Sequence, residues 1–433
     1  MRELAFCNFR IVDFADDFFG SLIIRDGRIS KIIKGDFCPS PETQMTVDGR
    51  NFPKTAVLMP SFIDLHAHFR DSAFPEKETA LPLETSFPKE TLESASLASV
   101  AGGFTTVVCM ANTKPAIDTL EKVLALKTRN DALSLIDLYP VMSLTKNMAG
   151  TELSGIKDMA NAFDKTGKTA NPVLMLSEDG KDIIDEKLFL AAMCEARRLG
   201  IPVSCHCDFG GSEAEAIGRA ILLGKKAGCR IHIAHVSTRE TVEVIRKEKG
   251  QKNTADTGFS LSCEATPHHI GATQADASRM GEKSFGRVNP PLAGDSDRKA
   301  IVAALMDGTI DAIATDHAPH SQADKAAGAP GFVGLETAFA VCLSNLDGME
   351  LKQLSQLMSK KPAQILGLHD RGRIAEDCRA DIVIADTQAK WKVNATKFKS
   401  RGSCTPFDGA QLNGKIIMTI NAGRIVFQGD GDE

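Results

Sequence analysis

Short apolar runs alternate with longer, helix-like segments through the middle of this chain. Eight such runs occupy residues 57–68, 104–110, 136–141, 173–176, 201–206, 230–235, 260–264 and 310–315. Alternation of this kind is typical of parallel strands joined by crossover helices. Eight βα units spread over about 300 residues predict an α/β protein with a (β/α)8 TIM-type barrel. A doubly wound open sheet is the alternative architecture.

The two ends of the chain follow a different pattern. Residues 21–34 hold two β-rich runs around Asp26-Gly27, which is a strong hairpin signal. Further short strands, separated by Gly and Asp turns, are predicted over 380–385, 414–420 and 424–428. We therefore expect residues 1–55 and 367–433 to form one small β-sandwich outside a barrel that spans residues 56–366.

Composition and charge exclude several classes of protein. The chain has 433 residues and a formal net charge of −5, from 51 Lys+Arg against 56 Asp+Glu, which argues against a nucleic-acid or membrane surface. The start of the chain resembles no signal peptide, and no apolar run approaches the ~18 residues of a membrane span. Its 11 cysteines follow no spacing pattern, as expected where thiols stay reduced. We expect a cytoplasmic protein.

Two histidines stand two residues apart at the end of the first apolar run, in Asp64-Leu65-His66-Ala67-His68. On a strand this spacing directs both imidazoles to one face, where they can share a metal ion. In isolation, such a pair is as often two unrelated strand histidines.

Further side chains of metal-binding type lie at the ends of other predicted strands. His206 and His235 close their runs, and Asp179 and Asp316 follow theirs. Barrel active sites are assembled from these strand ends. Imidazoles and carboxylates without organised thiolates indicate catalytic zinc or a similar divalent ion. Because six ligands exceed what one open tetrahedral ion takes, we expect one or two Zn²⁺ ions, with two favoured.

Other tempting residues near these strands are predicted to be structural. Cys205 and Cys207 flank His206, but alternation along a strand points them to the opposite face, so we expect buried thiols. His232, His268 and His269 are expected to support the core or the ligands rather than to bind metal.

Nine sequence segments carry a family resemblance, in a fixed order through the chain. They are DLHAHFR at 64–70, AGGFTTVVCMANTKP at 101–115, SEDG at 177–180, IHIAHVST at 231–238, CEATPHH at 263–269, VNPPL at 288–292, ATDHAPH at 314–320, VGLETAF at 333–339 and TPFDG at 405–409. Together they resemble the class I dihydroorotases of the zinc-dependent amidohydrolase superfamily. The resemblance implies that His66, His68 and Asp316 hold one zinc ion, that His206 and His235 hold the other, and that Asp179 bridges the two.

The resemblance also assigns residues to the substrate. Arg70 and Asn112 resemble the family residues that hold the dihydroorotate carboxylate, while Asn289 and His320 resemble contacts to the ring. A guanidinium suits an anionic substrate because it can bind a carboxylate with two parallel hydrogen bonds.

Three departures from the family pattern surround these positions. Asp71-Ser72-Ala73 replaces the usual Glu-Pro-Gly, and about ten residues are inserted around 80–90. Ala293 stands where arginine is common, and the loop at 329–332 is rearranged and shortened. None of these changes removes a metal ligand, so we expect them to affect substrate affinity more than hydrolysis.

The resemblance implies reversible hydrolysis of the cyclic amide of (S)-dihydroorotate to N-carbamoyl-L-aspartate, in de novo pyrimidine (UMP) biosynthesis. Metal-bound hydroxide would be the nucleophile, with Asp316 as general base and acid. One alternative is another cyclic amidohydrolase, hydantoinase- or allantoinase-like. The absence of Lys from residues 173–177 argues against it, because hydantoinases bridge their metals with a carboxylated lysine there. A second alternative is a non-catalytic, dihydroorotase-like scaffold, and the six retained ligands argue against that.

The expected partner is a small molecule, and neither nucleic acid nor a membrane is expected. A homodimer is the default assembly, because two-fold symmetric dimers are the commonest soluble oligomers. Association with aspartate carbamoyltransferase is a further expectation that comes from the resemblance.

Overall fold

The chain forms two parallel β-sheets and one mixed sheet. A computed structural model describes residues 3–39, 43–71, 89–159, 171–207, 211–251, 258–281 and 285–429. The strands are β1 (Glu3–Val12), β2 (Asp17–Arg25), β3 (Arg28–Lys34), β4 (Met45–Asp48), β5 (Ala56–Pro60), β6 (Phe62–Ala67), β7 (Phe104–Cys109), β8 (Asp137–Pro140), β9 (Met142–Ser143), β10 (Leu176–Ser177), β11 (Val203–Cys205), β12 (Arg230–Ile233), β13 (Ser260–Ala265), β14 (Ala312–Ile313), β15 (Ile382–Lys392), β16 (Gln411–Asn421) and β17 (Arg424–Gln428).

Helices fill most connections between the parallel strands. Among the described residues they are α1 (Leu92–Ala101), α2 (Leu120–Leu133), α3 (Glu186–Leu199), α4 (Glu213–Ala227), α5 (Arg239–Lys249), α6 (Pro267–Gly271), α7 (Gln274–Ala277), α8 (Asp295–Met306), α9 (Gln322–Ala326), α10 (Ala338–Asn345), α11 (Leu351–Ser355) and α12 (Lys361–Leu366). Helix α1 begins directly after its N-cap, Thr91, whose side chain accepts the Ser94 N–H. None of the described helices is both long and apolar enough to cross a membrane.

The parallel strands come from the middle of the chain and follow one another in space as they do in sequence. Their orders are β6-β7-β8 in one sheet and β9-β10-β11-β12-β13-β14 in the other. Each of the eight predicted runs contains at least part of a strand. The first and last of these strands are also connected, at their carboxyl ends. Ala67 on β6 forms a parallel bridge with His317, and the His68 N–H donates to the His317 carbonyl at 2.8 Å. The end of β6 therefore lies beside the segment that follows β14.

The predicted run 57–68 is two strands that belong to different sheets. Strand β5 pairs with β1 and β15 in the mixed sheet, whereas β6 pairs with β7. The break falls at Pro60, which has no N–H to donate, and at Ser61, whose N–H donates to the Asp381 carbonyl at 3.0 Å. Hydrophobicity alone could not reveal this break, because both halves are fully buried.

Both ends of the chain contribute to the mixed sheet, as the strand pattern predicts. Its order is β17-β16-β15-β5-β1-β2-β3, with β4 paired to β1. The predicted hairpin joins β2 to β3 through Asp26 and Gly27, both at positive φ as a two-residue hairpin turn requires. A cluster of buried side chains that includes Phe6, Leu58 and Ile420 packs within this part of the molecule.

A polar network joins the mixed sheet to the parallel strands. The Arg371 guanidinium, whose side chain is 7% exposed, donates to the Thr106 hydroxyl on β7 at 3.0 Å and to the Asp137 carboxylate on β8 at 2.7 Å. Arg379 reaches the same Asp137 carboxylate at 2.7 Å and the Asp381 carboxylate at 3.0 Å. These contacts fix the start of β15 against the edge of the parallel sheet.

Replacing Arg371 with methionine is expected to destabilise the chain by about 3 kcal/mol, because Asp137 and Asp381 then share only the more exposed Arg379 as a cationic partner. The free energy of unfolding, measured by urea denaturation, tests this. The matched control is Arg279→Met, whose side chain is 78% exposed, and we expect a change below about 0.5 kcal/mol. Equal stability of the two variants would contradict a structural role for this network.

Candidate metal centre

The residues that the sequence singled out converge on one cavity. It has a volume of about 230 Å³ and lies at the carboxyl ends of the parallel strands. Nine of the ten predicted residues line it: His68, Arg70, Asn112, Asp179, His206, His235, Asn289, Asp316 and His320. The tenth, His66, lies on β6 directly behind the cavity wall, and its Nε2 is 3.4 Å from Asp316 Oδ1.

Two carboxylates and four imidazoles form one buried cluster at this cavity. Asp179 Oδ1 lies 3.1 Å from His206 Nε2 and 3.7 Å from His66 Nε2. Asp316 Oδ1 lies 3.1 Å from His68 Nε2. His235 Nε2 is 3.0 Å from His206 Nδ1, which completes the cluster. All six side chains are buried, so their charges interact with little screening by solvent.

Glu264, at the end of β13, fixes the orientation of His66. Burial opposes its ionisation, but hydrogen bonds from His232 and His66 hold the pKa of Glu264 well below its usual range. The carboxylate is therefore an acceptor, and His66 Nδ1–H donates to it at 2.9 Å. This leaves the lone pair of His66 Nε2 directed toward the two aspartates, without a hydrogen-bond partner among the described residues. A carboxylate behind a histidine in this way is typical of metal-binding imidazoles.

Asn112 orients His68, as Glu264 orients His66. Its Oδ1 lies 3.0 Å from His68 Nδ1 and accepts from Arg70 Nη1 at 3.3 Å. Its amide N–H donates to Asp179 Oδ2. When Nδ1–H of His68 donates to Asn112, the Nε2 lone pair faces Asp316 and the cavity.

Two overlapping groups of these side chains can hold a metal ion. In each, three ligand atoms lie within 4.8 Å of one another: His66, His206 and His235 form one group, and His66, His68 and Asp179 form the other. Asp316 is outside both groups but contacts His66 and His68. Imidazole nitrogens and carboxylate oxygens are the donors that zinc and related divalent ions take in catalytic sites. The residues present therefore fit a divalent metal ion.

The electrostatics of the cluster favour a bound cation. Burial would raise the pKa of both Asp179 and Asp316, but the imidazoles around them outweigh burial and hold both pKa values well below the usual range. Conversely, although burial opposes it, the carboxylates of Asp316, Asp179 and Glu264 raise the pKa of His66 well above its usual value. A metal ion would replace that proton, because a metal-bound imidazole must be neutral.

Three residues of the site have a left-handed backbone. The φ angles are +57° at Arg70, +33° at His235 and +45° at Asp316. Non-glycine residues in this region cost about 1–3 kcal/mol each and concentrate at functional sites. Asp64 helps to hold the last of them: it accepts the Thr315 N–H at 2.9 Å and the His66 N–H at 3.1 Å, which joins β6 to the segment after β14.

The mouth of the cavity is positively charged. Arg70 Nη2 lies 3.4 Å from His320 Nε2, and Lys89 Nζ lies 3.5 Å from His320 Nδ1. Burial and the two neighbouring cations lower the pKa of His320 to about 3, so its ring is neutral at pH 7. Arg70 is half-buried beside it, and its buried Nε has no hydrogen-bond partner among the described residues.

The loop at 329–332, whose sequence differs from the family pattern, forms one wall of the cavity through Pro330 and Gly331. Lys325, which is 1% exposed, holds it there by donating to the Arg287 and Gly331 carbonyls, both at 2.9 Å. Asp71 accepts from Arg129 at 3.0 Å. Ser72, Ala73 and residues 80–88 of the inserted segment lie outside the described residues.

Sequence reasoning missed the residues that support the site. Glu264 and Asp64 were quoted within motifs, yet neither was given a role. A signal was present, because each is an acid within an apolar strand whose alternation points it inward. Glu90 and His317 were also missed: His317 Nε2–H donates to Glu90 at 3.4 Å, and Glu90 accepts the Ser400 hydroxyl at 2.5 Å. This last contact links Ser400, through Glu90, to His317, the residue that follows Asp316, and no local pattern reveals it.

The residues predicted to be structural are all buried. His232 Nε2–H donates to Glu264 at 2.9 Å, and His269 Nε2–H donates to the Pro290 carbonyl at 3.2 Å. His268 packs edge-on against Phe332 with ring centroids 5.6 Å apart. Cys205 and Cys207 are buried and form no disulfide.

Replacing Glu264 with glutamine is expected to weaken metal binding about 10–100-fold, because His66 loses the carboxylate that orients it. Competition with a chromophoric chelator measures the affinity. Glu243→Gln, at a side chain that is 63% exposed, is the matched control and should bind metal as the parent does. Unchanged affinity in Glu264→Gln would show that His66 is not a ligand.

Comparison with known proteins places this geometry in a family. Residues 57–426 match the amidohydrolase family. The chain is 37% identical over 440 residues to a dihydroorotase of Clostridium botulinum (strain Eklund 17B / Type B), covering 98% of this chain and all of that protein. It is 34% identical to a dihydroorotase of Bacillus cytotoxicus, covering 94% of each. A dihydroorotase of Anaeromyxobacter dehalogenans (strain 2CP-1) is 33% identical, with 97% of each covered.

Solved structures of proteins with names other than dihydroorotase have the same fold. The L-hydantoinase (dihydropyrimidinase) of Arthrobacter aurescens aligns with a TM-score of 0.81 at 25% identity, covering 99% of this chain and 96% of its own. The dihydropyrimidinase of Brevibacillus agri NCHU1002 aligns with a TM-score of 0.80 at 18% identity, covering 98% and 95%. From its full-length similarity to curated relatives, the chain belongs to the amidohydrolase family and, within it, to the dihydroorotases.

Proposed function

We propose that this protein catalyses the reversible hydrolysis of (S)-dihydroorotate to N-carbamoyl-L-aspartate, a step of pyrimidine biosynthesis. The observation that carries the proposal is a half-buried guanidinium, Arg70, whose buried Nε lies at the mouth of a cavity built from metal-binding side chains. Such a cavity suits hydrolysis of an amide. The guanidinium selects, among cyclic amides, one that bears a carboxylate.

Arg70 is the group that holds the substrate carboxylate in this proposal. Its Nε lacks a hydrogen-bond partner within the described residues, and it forms no ion pair there. A desolvated guanidinium without a counter-ion is costly, and a carboxylate with two oxygens satisfies it. Asn112 and neutral His320, both beside Arg70, supply further hydrogen bonds to the carboxylate and ring, and Asn289, which lines the same cavity, contacts the ring.

We infer that the cofactor is Zn²⁺, with two ions per chain. His66, His68 and Asp316 would hold one, His206 and His235 the other, and Asp179 lies where it can reach both groups. Divalent ions in such a site lower the pKa of water and polarise a carbonyl oxygen.

Asp316 is the general base and acid of the proposed reaction. Its pKa lies well below the usual range, despite burial, because the imidazoles of His66 and His68 favour the carboxylate. The carboxylate takes the proton of the attacking water as the water oxygen bonds to the amide carbonyl carbon, and the C–N bond breaks in the step that follows. It then returns that proton to the ring nitrogen that leaves, so no net proton remains on the enzyme.

The hydantoinase-like alternative has structural neighbours in its favour but lacks support within the site. Residues 173–177, which include β10, contain no lysine that could be carboxylated to bridge two metals. Asp179, just beyond β10, occupies the space between His68 and His206 instead. A non-catalytic scaffold is disfavoured because all six metal-type side chains remain together.

Several features of the assembly follow from the same proposal. The two parallel sheets form one closed (β/α)8 barrel within residues 56–366, supported by the bridge between Ala67 and His317. Residues 1–55 and 367–433, together with β5, form the β-sandwich. The protein is a cytoplasmic homodimer, and association with aspartate carbamoyltransferase is a further expectation.

The role of Arg70 can be tested by the variant Arg70→Gln, with dihydrouracil as a comparison substrate, since it has the same ring without the carboxylate. The preference for dihydroorotate over dihydrouracil, as a ratio of kcat/KM, should fall about 100-fold, which is the loss of ~3 kcal/mol of charged hydrogen bonding. Arg279→Gln serves as a surface control. A ratio that does not change would assign the carboxylate to another residue.

Replacing Asp316 with alanine should reduce turnover of L-dihydroorotate by at least about 100-fold, because the variant loses the carboxylate that carries the proton. Loss of the substrate's ultraviolet absorbance measures turnover, and circular dichroism and metal content are measured alongside. Asp307→Ala, on the surface, should keep full activity. Near-normal turnover in Asp316→Ala would remove Asp316 from the mechanism.

A further inference from the structure

A second cavity lies outside the metal centre, where α10 meets β15, β16 and β17. Its volume is about 260 Å³, and we call it the basic-aromatic pocket. Its apolar lining comes from aromatic side chains: Phe339 on α10, Trp391 on β15, Phe398 in the following loop and Phe427 on β17. The metal cavity shares none of these residues.

Four lysines also line the basic-aromatic pocket: Lys392, Lys397, Lys399 and Lys415. Within the part of the chain that the structure describes, none of these lysines has a carboxylate within ion-pair distance. The surrounding sequence has the same bias, because residues 387–407 contain five cationic residues and no acidic one, in a chain whose net charge is −5. Of the residues that the structure describes, Glu336 is the one acidic residue that lines the pocket, so four lysines against one carboxylate leave an excess of positive charge over an apolar surface.

The walls of the pocket are held in place without a ligand. The Trp391 indole N–H donates to the Gly414 carbonyl at 2.8 Å, which fixes the ring. Both oxygens of Glu336 accept the Lys399 N–H, at 2.8 and 3.0 Å, and Oε1 also accepts the Ser400 N–H at 3.1 Å. These bonds hold the loop that carries Lys397 and Lys399 against the start of α10. A preformed pocket loses little conformational entropy on binding.

We propose that the basic-aromatic pocket binds a mononucleotide. A planar base packs against the aromatic side chains, and the phosphate meets the lysines at the rim. Aromatic stacking is independent of base identity, and lysines bind phosphate as point charges. The volume limits the ligand to a single nucleotide, because pockets for larger drug-sized molecules reach ~300–1,000 Å³.

The single tryptophan of the chain is Trp391, so its fluorescence reports this pocket alone. Titration of the full-length protein with UMP or AMP should give a saturable change with a Kd below about 1 mM. Inorganic phosphate and the uncharged nucleosides should each bind at least about tenfold more weakly, because each lacks one of the two contacts. Isothermal titration calorimetry provides a second, independent readout.

Variants locate the site. Lys397→Glu/Lys399→Glu should weaken nucleotide binding at least about tenfold, because it reverses the charge at the rim. Lys54→Glu/Lys187→Glu makes the same change of net charge at exposed lysines elsewhere and should bind as the parent does. Arg70→Gln should also bind normally, since Arg70 lies in the metal cavity.

Three results would overturn the proposal. One is no binding by either method at about 10 mM nucleotide. Another is equal affinity for inorganic phosphate, which would make the rim an unselective anion site. The third is loss of binding in Arg70→Gln with normal binding in the Lys397/Lys399 variant, which would assign the nucleotide to the metal cavity. None of these readouts depends on turnover of dihydroorotate.

Discussion

Two ionised carboxylates in a cavity that excludes most solvent are the constraint around which this site is built. Burial of Asp179 and Asp316 disfavours their charge, and the surrounding imidazoles must compensate for it. Those imidazoles can do so only if they are held in one orientation. Glu264 behind His66, and Asn112 behind His68, supply that orientation. The same arrangement that stabilises the carboxylates presents nitrogen lone pairs to a divalent cation.

The fold delivers these groups to one place because parallel strands all end at the same edge. The strands themselves are short beside the site, with only two residues in β10 and in β14. The chain therefore leaves regular geometry early, and the ligands occupy the segments that follow. The left-handed backbone at His235 and Asp316 belongs to these segments. Buried residues beneath these segments hold the strained backbone in place, and Asp64 is one of them.

Sequence periodicity and turn residues were sufficient to predict the elements that depend only on their own local sequence. Each alternating apolar run contains at least part of a parallel strand, although β9 lies just beyond the run at 136–141. Asp26-Gly27 identified the hairpin, and β17 has the predicted bounds. Strand-end logic and the family motifs assembled ten residues that do lie together. Local rules failed where tertiary contacts decide. Pro60 divides one apolar run between two sheets, and the acids Glu264 and Glu90 are defined by partners that are distant in sequence.

The contact between Glu90 and Ser400, 310 residues apart, has a consequence for how the protein forms on the ribosome. Strand β5 likewise lies between β1, from the start of the chain, and β15, from near its end. The sheet that begins with the N-terminal hairpin therefore keeps one edge unpaired until more than three hundred further residues have been synthesised. Unpaired strand edges are prone to aggregation while they wait. Completion of the sheet and of the Glu90–Ser400 contact should thus be a late event in biogenesis, and the nascent chain depends on protection of that edge until then.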